Sequence, residues 1–236
     1  MGHLVRTRST RSLIMRTAER LYAAEGFANV SIRQIGEAAG QRNKSAVQYH
    51  FSGRDELIKA ILAEHAEAIE RHRLALLTPL GEPGPLPLRE QLRCVVLPHV
   101  EHHIDLGTPS WYGRFLAQVI VEPALRDYAV SAHLHTPSLR RLYDAIRARR
   151  GADGRASRRL GAGDGRLRAG DGRLGAGRLG TRREDMARQL IVHMCAQLEA
   201  ELAREQPIPE LAAASWRSLG SDLVTALHGL VQALDG

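Results

Sequence analysis

Aromatic side chains are scarce in this 236-residue chain, at 4% of residues, and no stretch alternates Val, Ile or Thr with polar residues over a strand's length. Both absences weigh against sheet-built cores and leave Leu, Ala, Arg and Glu, most of them strong helix formers, as the bulk material. The expected fold class is all-α. Cysteine is almost missing too: Cys94 and Cys195 stand far apart with no CxxC, which excludes a disulfide framework and a thiolate metal cluster and leaves two buried thiols. No apolar run approaches the roughly 20 residues that a bilayer span needs, and the N-terminus, with Arg6, Arg8 and Arg11, lacks the apolar block of a signal peptide. A cytoplasmic protein is expected. HExxH, a phosphate loop and a nucleophile with its acid and base are also missing, so no enzyme, no cofactor and no metal site is expected.

Positive charge is what the chain does have, and its location decides its meaning. Between Arg150 and Arg183 ten Arg face three Asp, a surplus equal to the formal +7 of the whole chain. Within the neutral remainder, residues 1–60 hold ten Lys and Arg against five Asp and Glu, so the N-terminal end points to an anionic partner. Ten of the thirty residues from 151 to 180 are Gly, with DGRL at Asp164–Leu167 repeated at Asp171–Leu174. Glycine at that density removes helix propensity, and a disordered basic insertion over 151–180 is expected. A frayed basic arm is expected over residues 1–10.

The segment from Val30 to Leu57 is the most informative one. Ser31 is a good N-cap, Ile32, Ile35 and Ala39 make an apolar stripe, and Gly40 supplies a helix stop. After Gln41-Arg42-Asn43, the run Lys44 to His50 has one apolar anchor, Val47, with Ser45, Gln48 and Tyr49 on the opposite side. So short a helix needs neighbours to hold it, as in a helix-turn-helix, and its outward polar side chains are of the kinds that bond base edges and phosphates. A solvated surface helix in an ordinary bundle is the other reading of the same pattern.

Taken together, the amphipathic run from Arg11 to Gly26, Phe27 with Val30 and Ser31, Ile35 with Ala38-Ala39-Gly40, Tyr49-His50-Phe51 and Asp55-Glu56-Leu57 resemble the TetR family of transcriptional regulators. The segment between Gly40 and Phe51 is one residue longer than usual for that family, and Gln48 stands where an aromatic is common. The resemblance implies a homodimeric repressor, with an N-terminal helix-turn-helix domain at 1–56 and a ligand-binding and dimerisation domain at 57–236. Double-stranded DNA, a small-molecule effector and a second copy of the chain are the expected partners. The DNA face is expected at Ser31, Arg33, Gln41, Arg42, Asn43, Lys44, Ser45, Gln48, Tyr49 and His50, with Arg54 and Lys59 as positioning charges.

The remaining helices follow from apolar spacing, Gly and Pro. Helix 1 carries Ile14, Ala18, Leu21 and Tyr22; helix 4 runs from Arg54 to about Leu77; the breaker PLGEPGPLP at Pro79–Pro87 precedes a helix over about Leu88 to Ile104, bent at Pro98. Helices are further expected around Ser110–Val130, interrupted near Pro123, and from Ser138 to about Arg149. Two strong stripes close the chain, and the family precedent of a four-helix dimer bundle places Leu190, Met194, Leu198, Trp216, Leu223, Val224, Leu227 and Val231 at an interface. Candidate effector contacts are His99, His103, Trp111, Tyr112, Phe115, Tyr143, His193 and Met194. His99 and His103, one helical turn apart, also allow a metal-assisted hydrolase as a competing reading, joined by Glu101, His133 and His135. A helical dimerisation module that no longer binds an operator is the third.

Overall fold

The computed structural model describes residues 2–41, 46–134, 136–160 and 173–233, and among these residues every regular element is a helix. In chain order they are α1 (Gly2–Glu25), α2 (Ile32–Ala38), α3 (Ala46–His50), α4 (Arg54–Leu80), α5 (Leu88–Leu106), α6 (Tyr112–Val121), α7 (Pro123–Leu134), α8 (Pro137–Leu160), α9 (Arg173–Glu205) and α10 (Pro209–Gln232). No helix among the described residues is long and apolar enough to cross a membrane.

Two apolar cores hold them. The first joins α1 to α4 through Ile14, Ala18, Tyr22, Ile35, Val47, Phe51 and Leu57, then continues into α6 and α7 through Phe115, Val119 and Leu125. The second packs α5, α8, α9 and α10 around Val96, Val100, Leu142, Cys195 and Trp216. The expected division after residue 56 falls inside the first turn of α4 and no packing gap marks it, because the first core runs through it.

Several boundaries differ from expectation. α1 begins at Gly2, so residues 2–10 are helical and not an irregular arm; extending a helix whose Ile14–Tyr22 segment is already docked needs no new nucleus. The same reasoning covers the supposed insertion: α8 reaches Leu160 and α9 starts at Arg173, so only 161–172 of the segment 151–180 lie outside the described residues. α4 runs three residues past Leu77 and takes Pro79 into its last turn. Pro98 lies within α5, which continues to Leu106.

A buried carboxylate joins α6 to α9 beside the apolar contact that Val192 makes with the first core. α6 has no side-chain cap of its own, and Glu199 of α9, 1% exposed, supplies one from outside. It accepts hydrogen bonds from Ser110 Oγ (3.1 Å), Gly113 N (2.8 Å), Arg114 N (3.2 Å) and Arg114 Nε (3.0 Å). A carboxylate at a helix N-terminus meets both the free N–H groups and the positive end of the macrodipole. Gly113 allows the close approach this requires, since a Cβ there would lie 3.1 Å from Ala196 Cα of α9.

Candidate nucleic-acid interface and regulatory pocket

The reader unit is assembled by local rules. Ser31 closes a capping box on α2: Gln34 N–H donates to Ser31 Oγ (3.3 Å), and Ser31 N–H donates back to Gln34 Oε1 (2.8 Å). Gly40, at φ +66°, turns the chain out of the helix. α3 is held to α2 by Val47, 2% exposed, whose Cγ2 would lie 3.3 Å from a Cβ at Gly36. Glycine at that position therefore sets how closely the two helices pack. Phe51 plugs the floor of the unit and the Arg11 guanidinium covers it, 4.9 Å from the ring centroid.

With Val47 inward, Gln48 and Tyr49 face out, and Tyr49 is 75% exposed. That is much exposed area for a large ring on a five-residue helix. Tyr49 meets the His50 ring edge-on at 5.1 Å, and burial followed by the Arg11 charge holds the His50 pKa below its ordinary value. Arg33 is exposed and paired with Glu37 one turn on (2.9 Å). Gln41 is half-buried and donates its amide to the Ala39 carbonyl (2.9 Å), and the Ser31 side chain is engaged in the cap. Arg42, Asn43, Lys44 and Ser45 lie outside the described residues.

The two positioning charges part company. Arg54 Nη1 donates to the Phe27 carbonyl (3.3 Å), bracing the turn between α1 and α2. Lys59 lies over the Tyr128 ring of α7, 5.2 Å from its centroid, so it faces α7. Five residues separate Arg54 from Lys59, about 140° round α4, so the two charges point to different sides of the helix.

The expected effector contacts are similarly divided. His99 and Tyr143 line one cavity, together with Val95, Leu116, Ile120, Leu139, Arg188 and Ile191, enclosing about 530 Å³ including its open mouth. Tyr112 and Phe115 are buried core residues, and Trp111 carries the Arg114 guanidinium at 4.2 Å. His193 is exposed on α9, and Met194 packs partly against the second core. His103 stacks flat on Trp216, with ring centroids 4.3 Å apart. The His99 and His103 pair thus serves two different environments. Among the described residues no group of three or more His, Cys, Asp or Glu is placed to hold a metal ion. Of the expected interface residues, Trp216, Leu223, Val224 and Leu227 are already buried within the chain as part of the second core, which α10 shares with α5; a partner cannot bury them again. Leu190, Met194, Leu198 and Val231 remain partly exposed.

Sequence reasoning missed a buried polar chain between the two halves. Glu19 Oε2 of α1 lies 3.0 Å from His65 Nε2 of α4, and His65 Nδ1 lies 2.7 Å from His102 Nε2 of α5. A consistent assignment has His65 Nε2–H donating to the carboxylate and His102 Nε2–H donating to His65 Nδ1. Tyr112 stacks on His65 at 3.8 Å. Burial first, then the neighbouring His65, lowers the pKa of His102 to about 2 and that of His103 to about 3. Glu199 comes within 3.9 Å of His103 Nδ1, too far for a hydrogen bond, and its oxygens already serve four donors, so His103 stays neutral with Nδ1 unpartnered. The signal lay in the stripes: His65 continues Ile58, Ile61 and Leu62 toward Ile69, and Glu199 falls between Cys195 and Leu202.

An exposed polar helix packed across a tight turn on a second helix, and steadied by a third, is a helix-turn-helix. Residues 14–61 match the family model described as "Bacterial regulatory proteins, tetR family". Over these residues the N-terminal unit is therefore similar to the regulators of that family. The whole chain also aligns with the crystal structure of a protein described as a TetR-family transcriptional regulator from Rhodococcus sp., at 16% identity and a TM-score of 0.49, covering 92% of this chain and 99% of that one. No curated protein matches the chain.

Proposed function

We propose that this chain is a homodimeric repressor that reads a palindromic operator through α2 and α3 and leaves it when a small, largely apolar effector enters the regulatory half. The supporting observation is the α3 face: Tyr49 and Gln48 stand free of the core while Val47 and Phe51 fix the helix that presents them. Side chains of that kind on a rigid element suit the major groove. Arg33, His50 and Arg54 flank them, and Arg42, Asn43, Lys44 and Ser45 complete the expected face by sequence.

Dimerisation is proposed through the outer faces of α9 and α10, where Leu190, Met194, Leu198 and Val231 adjoin exposed His193, Ala226 and Gly229. Two readers joined this way must meet half-sites about 34–36 Å apart, so an effector that favours another spacing lowers affinity. Two routes carry the change. α4, about 40 Å long at 1.5 Å per residue, touches α1, α5, α7 and α8. The Glu19, His65 and His102 chain adds a directional polar tie between α1 and α5.

Selection of duplexes from a random pool by the purified protein at physiological salt tests this reading. A palindromic motif is expected. Recovery of no motif, with binding that salt abolishes, supports instead a dimerisation module that no longer reads an operator.

A further inference from the structure

The cavity beneath α5, α6, α8 and α9 is apolar over most of its wall, with Val95, Leu116, Ile120, Leu139 and Ile191 contributing aliphatic surface. One wall residue is a cation, Arg188, whose side chain is 19% exposed. Its partner is Asp185 on the preceding turn of α9, a carboxylate that remains 44% exposed. The same carboxylate also lies 3.8 Å from Arg126 Nη2 of α7, so two guanidiniums, one of them the cavity-lining Arg188, share one anion.

A second apolar cavity lies on the other side of Val95, Tyr143 and Ile191, which line both, and the Arg147 and Glu184 pair borders it. The side chains of Val95, Tyr143 and Ile191 form the common wall of the two cavities. The Tyr143 hydroxyl stays protonated, because burial pushes its pKa up against the pull of the Arg188 charge. It can act there as a donor.

We infer that this cavity takes a carboxylic acid with an apolar body, whose carboxylate replaces that of Asp185 on Arg188. Arginine meets carboxylates with a forked donor geometry, and Arg188 already donates to the carboxylate of Asp185. The inference rests on the reading of the chain as an effector-controlled regulator and names the effector's class. It also gives the effector a path to the reader: Leu116 and Ile120 of α6 line the cavity, and α6 packs on α1 within the first core.

The test measures binding to the full-length protein in the absence of DNA, by titration calorimetry, with octanoate, octanol and octylamine as probes. Octanoate is expected to bind about tenfold or more tightly than octanol, and octylamine more weakly still, since a charge-assisted pair separates them. Arg188→Gln is expected to bring octanoate down to the level of octanol. Arg126→Gln, at an exposed position less liable to disturb folding, is expected to reduce the same preference by a smaller factor. Equal binding of octanoate and octanol by the wild-type protein overturns the inference, as does a preference that survives Arg188→Gln, or no binding by any of the three. DNA binding, measured separately, distinguishes this failure from that of the regulator reading: a protein that selects an operator but ignores octanoate loses only the effector class, whereas one that prefers octanoate but selects no operator keeps the site and loses the regulator.

Discussion

At the scale of single residues, the structure assigns different work to side chains that look alike in sequence. Tyr49 and Tyr112 are both aromatic residues on short helices, yet one is 75% exposed and the other 1%. Tyr49→Ala or Gln48→Ala should relax the preference at one operator position by about 1–3 kcal/mol, read as relative affinities for a panel of single-base variants. Equal losses on every duplex would remove that residue from base reading. The buried histidines give a second expectation. The pKa values of His102 and His103, about 2 and about 3, lie far below those of an unfolded chain, so both stay neutral in the fold. As pH falls below about 6.5, the unfolded chain takes up protons that the folded one refuses, and stability drops by up to about 1.4 kcal/mol per pH unit for each group. Above that pH neither contributes. His103→Phe keeps a flat ring on Trp216 and removes one titrating group; denaturation midpoints between pH 7.5 and pH 5.5 should then fall less steeply than in the wild-type protein. An unchanged slope would mean that His103 is not held neutral.

At the scale of elements, the helices legible in the sequence were those with a strong apolar stripe and a stop signal, such as α2 between Ser31 and Gly40, or α6 ending ahead of Pro123. Extensions that ride on a docked helix were not legible, because Gly2–Arg11, Gly151–Leu160 and Arg173–Gly180 have little apolar periodicity and follow an existing helix rather than starting one. The site was half legible for a related reason. Local spacing shows that Gln48 and Tyr49 oppose Val47, but it cannot show that Lys59 reaches Tyr128 or that Trp216 is covered by α5, since those are contacts between elements distant in sequence. The junction of α6 and α9 offers a direct test of element packing. Gly113→Ala would gain up to about 1 kcal/mol in helix propensity, but its Cβ meets the α9 backbone, which cannot rotate away. A net loss of about 1–3 kcal/mol is expected from chemical denaturation. A stabilised variant would show that α6 and α9 are free to part.

At the scale of the whole molecule, the reader and the regulatory half share one core and one polar chain, so a change at α5 or α6 reaches α1 without a hinge loop between them. The two-fold partner is proposed to lie against the outer faces of α9 and α10. Ala226→Arg places a long cation on exposed α10 surface and leaves the core side of that helix intact. Light scattering should then report the mass of a single chain in place of two, with weaker operator binding, whereas an unchanged dimer would move the interface elsewhere. The central claim is sequence-specific DNA reading by the N-terminal unit. Its most direct measurement is the ratio of affinities for a selected duplex and a scrambled duplex of the same length at one physiological salt concentration. A ratio of about 10³ or more is predicted; a ratio near one would contradict the claim, however tightly both duplexes bind.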